Sequence, residues 1–155
     1  VEDIISKEEP FSEWKIRNID DENAGQYRQQ NVLISCTTTM PPDYTLLNDK
    51  MAHLVDWYKS AAHTFHPIER AAKVHADFVG IHPFIDGNSR TSRLLMNLEL
   101  MKAGYPPCVI TVENRLAYYE ALDQWMAHSK TEAFTQLVAE AVLEGFKPYQ
   151  VVLGL

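Results

Sequence analysis

The stretch that decides the fold of this 155-residue chain is His82-Pro83-Phe84-Ile85-Asp86-Gly87-Asn88-Ser89-Arg90-Thr91-Ser92-Arg93. Gly80 weakens the helix before it, Pro83 biases His82 toward an extended backbone outside that helix, and a run of Leu and Met follows. A dense cluster of polar and charged residues in a short loop between two helices is typical of a functional site. We therefore predict a helix–loop–helix unit, and we call residues 82–93 the motif loop.

The motif loop offers an anion-binding site. Gly87-Asn88-Ser89 directly precedes the next predicted helix, where free N–H groups and the positive end of the helix dipole attract phosphate. Arg90 and Arg93 add two guanidinium groups on one helical turn. Asp86 is a hard oxygen ligand for Mg²⁺ beside a nucleotide, and His82, with an ordinary pKa of about 6.5, can accept a hydroxyl proton. Together these residues predict a nucleotide-dependent transferase.

Apolar residues at helical spacing predict five helices, over residues 46–58, 68–79, 90–103, 115–127 and 131–144. The third is largely apolar, with Leu94, Leu95, Leu98 and Met101 on one side, so we expect it to be central, with this run in the core. We expect a single all-α domain over residues 1–155, since no repeat or long Gly/Ser linker divides it.

One stretch favours extended structure. Val32, Leu33 and Ile34 precede a run of Thr, and β-branched residues suit strands better than helices. We predict a small, exposed β-hairpin over residues 31–40, which we call the flap segment.

Composition limits the partners. The formal net charge of -7 gives no general attraction to nucleic acid or to anionic membranes, and no apolar run approaches the roughly 18 residues that span a bilayer. Cys36 and Cys108 lie far apart, which suits reduced thiols in a cytoplasm. The N-terminus has neither a signal-peptide pattern nor an initiator Met, so we expect a trimmed start with residues missing upstream.

The motif loop resembles the Fic family signature HPFxDGNGRxxR, in which Glu can replace Asp. Further segments resemble Fic domains in the same order along the chain, namely Ala24–Arg28, His66–Ala72, Leu94–Leu98, Gly104–Pro107 and Arg115–Tyr119. The resemblance implies a Fic-type helical bundle that transfers AMP from Mg²⁺-ATP to a Ser, Thr or Tyr hydroxyl of a protein and releases pyrophosphate. It leaves open auto-modification, a homodimer, and inhibition by a further segment or an antitoxin-like protein.

The family roles transfer residue by residue. The resemblance implies that His82 is the general base, that Asp86 holds Mg²⁺, that residues 87–90 form the anion hole, and that Arg93 reaches the terminal phosphate. Tyr118 or Tyr119 is expected to line the adenine pocket. The flap segment is expected to align the target by strand addition, through the six residues Val32, Leu33, Ile34, Ser35, Cys36 and Thr37.

This sequence departs from the family pattern at Ser89, where Gly is usual. A helical backbone at Ser89 would let its hydroxyl face a phosphate, whereas a positive φ would cost about 1 kcal/mol and shift the cradle. The family's inhibitory [S/T]xxxE[G/N] pattern is also incomplete, because Glu140 stands where Ser or Thr is expected before Glu144-Gly145.

Several residues also have plainer interpretations. We expect His75 to be a hydrogen-bonded core residue, Glu69 and Arg70 to be solvent-facing charges, and Cys108 to be buried and inert. Tyr118 and Tyr119 suit packing as well as base stacking. The alternatives to adenylylation are transfer or removal of another phosphate-containing group, such as UMP, phosphocholine, phosphoryl or AMP, and a catalytically weak nucleotide-binding module.

Overall fold

The computed structural model describes residues 25–34 and 39–154. These residues contain the five predicted helices: α1 Leu47–Ser60, α2 Pro67–Ile81, α3 Asn88–Lys102, α4 Arg115–His128 and α5 Glu132–Leu153. The all-α class is therefore confirmed. The last helix continues beyond the expected end at residue 144, with Pro148 inside it. None of the helices in the described ranges combines the length and the apolar character needed to cross a membrane.

The flap segment is described only at its ends. Residues 31–34 and 39–40 have no regular secondary structure, whereas Ser35, Cys36 and Thr37 lie outside the described residues. Thr39 is anchored to α4, because its backbone N–H and its hydroxyl donate to Asp123 Oδ1 at 3.2 and 3.1 Å. The hairpin itself stays a prediction.

The helix α2 begins at a well-defined cap. Pro67 occupies its first turn, where a missing N–H costs nothing. The His66 side chain accepts from the Ile68 N–H at 3.3 Å, and the Glu69 carboxylate accepts from the His66 N–H at 3.0 Å. Glu69 is exposed, as expected, but it also closes this capping box. The cap sets the start of the helix that ends at the motif loop.

The central helix is α2, where the sequence had suggested α3. It contacts each of the other four helices. Its Ala71, Ala72 and Ala76 side chains are fully buried, and such small residues let neighbouring helices approach closely. The motif loop therefore leaves the most buried helix of the bundle, which gives the loop a rigid base.

The predicted core face of α3 was wrong. Leu94, Leu98 and Met101 are 72%, 50% and 54% exposed. The buried face of α3 is instead the opposite one, formed by Asn88, Ser92, Met96, Glu99 and Leu100. The apolar spacing identified the helix correctly but assigned the wrong side of it to the core.

Glu99 explains why this polar face is buried. Its carboxylate accepts from the Tyr58 hydroxyl of α1 at 2.6 Å, from Arg70 Nε of α2 at 2.8 Å and from Lys102 Nζ at 2.8 Å. Hydrogen bonds from these donors hold the pKa of Glu99 below its ordinary value, although burial opposes them. The expectation that Arg70 faces solvent was therefore wrong, because Glu99 draws its guanidinium into the interface between α2 and α3.

Candidate active site

His82 ends α2 in a left-handed backbone conformation, with φ 52° and ψ 58°. Histidine adopts this conformation more readily than most residues, but positive φ remains uncommon outside glycine. Its backbone N–H still donates to the Phe78 carbonyl at 3.0 Å. The extended backbone predicted for His82 was therefore wrong: His82 leaves α2 through a left-handed turn, although it does leave the helix at this point, as expected.

The His82 ring is oriented by the helix that it ends. Nδ1 lies 3.2 Å from the Val79 carbonyl oxygen. Because a carbonyl oxygen only accepts, Nδ1 carries the proton in the neutral ring, and Nε2 has a free lone pair. Burial lowers the pKa of His82 below its ordinary value; the bond to Val79 opposes this shift and the positive charge of Arg28 adds to it. The ring is therefore held in the neutral form that accepts a proton.

The helix α3 begins directly at the end of the motif loop. Gly87 lies at φ 86°, a conformation that suits glycine, and it forms the N-cap of the helix. In the first turn, the N–H groups of residues 88–90 precede the first i to i−4 bond, which Thr91 N–H makes to the Gly87 carbonyl at 2.9 Å. The sequence predicts an anion site at this helix start, and the site itself stays a prediction.

Ser89, the departure from the family pattern, lies within the first turn of α3. Among the described non-glycine residues only His82 and Ser129 have positive φ, so Ser89 has no left-handed strain. Its side chain interacts with Tyr118 and acts to lower the pKa of that phenol, against the larger effect of burial, which raises it. Ser89 therefore has the helical backbone and not the positive φ that would have shifted the cradle.

Asn88 does not present its side chain to the anion site. It is 2% exposed, and its amide makes two hydrogen bonds to the backbone of one residue. Oδ1 accepts from the Phe84 N–H at 2.9 Å, and Nδ2 donates to the Phe84 carbonyl at 2.7 Å. Residue type suggests that the Asn88 side chain donates to phosphate, but its amide instead bonds to the backbone of Phe84 and closes the loop.

Asp86 is the residue that could hold a metal ion. Its Oδ1 accepts from the Gly87 N–H at 2.6 Å, and its Oδ2 lies 3.2 Å from Arg90 Nη2. Across the described part of the chain, no three His, Cys, Asp or Glu side chains converge into a metal site. A single exposed carboxylate still fits Mg²⁺, which usually takes one or two carboxylates and completes its shell with phosphate and water.

Six of the predicted site residues line one cavity of about 170 Å³: His82, Asp86, Gly87, Asn88, Ser89 and Arg90, together with Ile85. Ile85 was not among the predicted site residues. The cavity thus brings together the His82 ring, the Asp86 carboxylate and the start of α3. A larger cavity of about 670 Å³ lies between α1, α2 and α4, and none of these loop residues lines it.

Arg93 and the two tyrosines form a neighbouring group. The Arg93 guanidinium carbon lies 5.6 Å from the centre of the Tyr118 ring, and the Tyr118 and Tyr119 rings are 5.2 Å apart. Tyr118 is 2% exposed, and its hydroxyl lies 2.9 Å from Nε2 of the buried His75. Tyr118 is therefore a core residue and offers no free face to adenine, whereas Tyr119 is only partly buried. His75 has the core role expected of it.

Arg28 is a residue of the site that sequence reasoning missed. It is 2% exposed, its Nε donates to the His82 carbonyl at 2.9 Å, and its backbone N–H donates to the Pro83 carbonyl at 2.8 Å. Nothing in the periodicity around Arg28 indicates this role. The one signal was its place in the segment 24–28, which resembles Fic domains.

The fold and the site define a helical domain in which a short polar loop leads into the start of a helix beside a small cavity. The model of the Fic/DOC family matches residues 10–100, which is more than half of the chain. The chain belongs to the Fic/DOC family.

Named relatives and solved structures agree with this assignment. The chain is similar to "Protein adenylyltransferase fic-1" of Caenorhabditis elegans, with 42% identity over 106 residues, covering 68% of this chain and 20% of that protein. "Protein adenylyltransferase Fic" of Nematostella vectensis is 44% identical over 117 residues, covering 75% of this chain and 27% of that protein. This chain thus spans about a fifth to a quarter of these relatives.

The structure of Fic-1 from C. elegans superposes with a TM-score of 0.73 at 34% identity, over 86% of this chain and 38% of that one. A Fic domain containing signaling protein from Bacteroides thetaiotaomicron gives a TM-score of 0.69 at 28% identity, over 78% of this chain and 52% of that one.

Proposed function

We propose that this chain is the catalytic domain of a protein adenylyltransferase, which transfers AMP from ATP to a Ser, Thr or Tyr hydroxyl of a target protein. The observation that carries the proposal is the cavity in which His82 lies beside the N-terminal turn of α3. A base and an anion cradle in one small cavity suit attack of a hydroxyl on a phosphate. The relatives named protein adenylyltransferase support AMP as the group transferred.

The proposed reaction is a displacement at the α-phosphorus. The target oxygen forms a bond to this phosphorus, the bond to the β-phosphate oxygen breaks, and pyrophosphate leaves. The hydroxyl proton passes to His82 Nε2, the ring nitrogen that is not bonded to Val79. Positioned general bases contribute roughly 10²- to 10⁴-fold in rate. The N–H groups at the start of α3 stabilise the charge that develops on the phosphate oxygens.

Asp86 is the residue we propose for Mg²⁺. When bound, the ion neutralises phosphate charge and orients the nucleotide. Asp86 and Arg90 form an exposed ion pair, so binding of a metal–nucleotide complex has only a weak interaction to break. Arg90 is then released toward the phosphates. Arg93, on the same exposed side as Ser89, is proposed to contact the terminal phosphate.

The experiment that tests this function compares ATP labelled at the α-phosphate with ATP labelled at the γ-phosphate and with labelled UTP. Each is incubated with the chain, Mg²⁺ and a cell lysate, and the labelled proteins are identified by mass spectrometry. We expect α-label from ATP on Ser, Thr or Tyr. Only label that is absent from the same lysate without the chain counts: such label from the γ-position would indicate phosphoryl transfer, preferential label from UTP would indicate UMP transfer, and either result would contradict adenylylation.

A further inference from the structure

The buried guanidinium of Arg28 joins three separate segments of the chain. Besides the His82 carbonyl, it reaches the Gln30 carbonyl through Nη1 at 2.8 Å and the Pro42 carbonyl through Nη2 at 2.6 Å. Gln30 and Pro42 flank the flap segment on either side. Each of the three guanidinium nitrogens therefore donates a hydrogen bond to a backbone carbonyl. These bonds fix the positions of the three carbonyls relative to one another.

The backbone at His82 needs such support. A non-glycine residue in the left-handed region carries strain and persists only where its surroundings hold it there. Arg28 donates two hydrogen bonds to this turn, one from its side chain to the His82 carbonyl and one from its backbone N–H to the Pro83 carbonyl. The same residue has its Nδ1 3.2 Å from the Val79 carbonyl oxygen, so the turn and the ring orientation occur together at His82.

A second set of hydrogen bonds joins the two ends of the flap segment to each other. Asn31 Nδ2 donates to Asp43 Oδ2 at 2.8 Å, and Asn31 Oδ1 accepts from the Tyr44 N–H at 2.9 Å. Hydrogen bonds from Asn31 and Thr45 lower the pKa of Asp43 to about 2, so the carboxylate stays ionised. The two ends of the flap segment are thus joined to each other next to Arg28, and Arg28 joins both of them to the motif loop.

We propose that Arg28 is a positioning residue, which holds the His82 turn in its productive conformation and in a fixed place relative to both ends of the flap segment. Arg28 touches no reacting atom in this account and acts through His82. The proposal rests on the function proposed above, in which His82 is the base. It goes beyond that function because it assigns the orientation of His82 to Arg28, which lies 54 positions earlier in the chain.

The test replaces Arg28 by Lys, which keeps the charge but cannot reach three carbonyls in a planar array. The matched control is Arg70→Lys, because Arg70 is also a largely buried arginine but pairs with Glu99 away from the motif loop. Both variants are made in the full chain and compared by circular dichroism and thermal unfolding. We expect both to fold, with similar decreases in melting temperature.

The steady-state rate of AMP transfer should distinguish Arg28→Lys from Arg70→Lys. Since a misplacement of about 1 Å can cost about 100-fold, kcat of Arg28→Lys should fall roughly 10- to 100-fold. Its KM for ATP should change less than about twofold, because the anion cradle is intact. Arg70→Lys should keep the kcat of the parent chain. Equal kcat in both variants would overturn the proposal, as would loss of the fold in Arg28→Lys alone, which would make Arg28 a folding residue.

A spectroscopic measurement tests the same proposal without activity. Long-range ¹H–¹⁵N spectra of histidine rings report which nitrogen carries the proton, and the His82 signals are identified by their absence in His82→Ala. The parent chain and Arg70→Lys should show the proton on Nδ1 of neutral His82, and Arg28→Lys should show a mixture of tautomers. An unchanged tautomer in Arg28→Lys would overturn the proposal for Arg28 and leave the proposed function standing. An inactive parent chain with the expected tautomers would contradict the proposed function alone.

Discussion

Asp86 and Arg90 form an ion pair across the start of α3, with 3.2 Å between Oδ2 and Nη2. Both side chains are largely exposed, and exposed pairs contribute about 0–1 kcal/mol to stability. We therefore expect Asp86→Asn to unfold at nearly the denaturant concentration of the parent chain, but to lose Mg²⁺-dependent binding of ATP in calorimetry.

The control for Asp86→Asn is Glu144→Gln, which removes the exposed ion pair between Glu144 and Lys147 on α5. It should retain both stability and Mg²⁺-dependent binding. Glu144 also belongs to the incomplete inhibitory pattern, so a rise in transfer rate in Glu144→Gln would mean that this pattern does act in inhibition. Unaltered Mg²⁺ dependence in Asp86→Asn would remove Asp86 from the metal site.

Asn88 and Asn97 make the same pair of hydrogen bonds at different places. The Asn88 amide accepts from the N–H of Phe84 and donates to its carbonyl. The Asn97 amide accepts from the N–H of Cys108 at 2.7 Å and donates to its carbonyl at 3.3 Å. Replacing either by Ala leaves backbone groups without partners and should lower the free energy of unfolding by about 1–3 kcal/mol. Only Asn88→Ala should also reduce transfer, because only Asn88 shapes the motif loop. Transfer rates that fall equally in both variants would contradict this role.

Tyr118 and Tyr119 are adjacent but should respond differently to substitution. Tyr118→Phe removes the hydroxyl beside His75 Nε2 and should destabilise the fold by about 1–3 kcal/mol, as measured by urea unfolding. Tyr119→Ala should weaken ATP binding about 2- to 10-fold, the loss expected of one aromatic stacking contact. Unchanged ATP affinity in Tyr119→Ala would exclude Tyr119 from the adenine pocket.

His75 should make stability depend on pH. Burial lowers its pKa from 6.5 to about 4, with the Ser92 backbone opposing the shift and the Arg93 charge adding to it. Between pH 6.5 and 4 the unfolded chain therefore binds the proton more readily than the folded chain. The free energy of unfolding should fall by up to about 3 kcal/mol as the pH decreases through this range.

The control for this pH dependence is the variant in which the exposed His128 is replaced by Gln, measured over the same pH range. Replacing His75 by Gln should reduce the slope. A His75→Gln variant whose stability has the same pH dependence as the parent chain would show that this histidine does not titrate in that range.

The helices and the motif loop could be predicted because their signals are local. Pro83 marks the end of one helix, which stops at Ile81, and the spacing of Leu94, Leu98 and Met101 identifies the next. The buried side of that helix could not be predicted, because it depends on Glu99 meeting donors from α1 and α2. Glu99 is buried because it has three hydrogen-bond donors, so the expectation that the apolar side of α3 faces the core was wrong.

The residues that line the small cavity were likewise easier to predict than the contacts that hold them in place. His82, Asp86 and Arg90 lie within nine residues and line one cavity. Arg28 contacts His82 across a separation of 54 residues, and the amide of Asn88 turns inward to Phe84. Residue type alone indicates that Asn88 can donate to phosphate, but only tertiary structure decides which acceptor it meets.

The proposed reaction requires His82 to accept the proton of the target hydroxyl. The most direct measurement compares transfer of α-labelled AMP from ATP to a target protein by the parent chain and by His82→Ala, with ATP affinity and thermal unfolding measured on both. We predict that transfer by His82→Ala falls by at least about 100-fold while ATP binding and the fold are retained. Transfer by a folded His82→Ala at the rate of the parent chain would contradict the account.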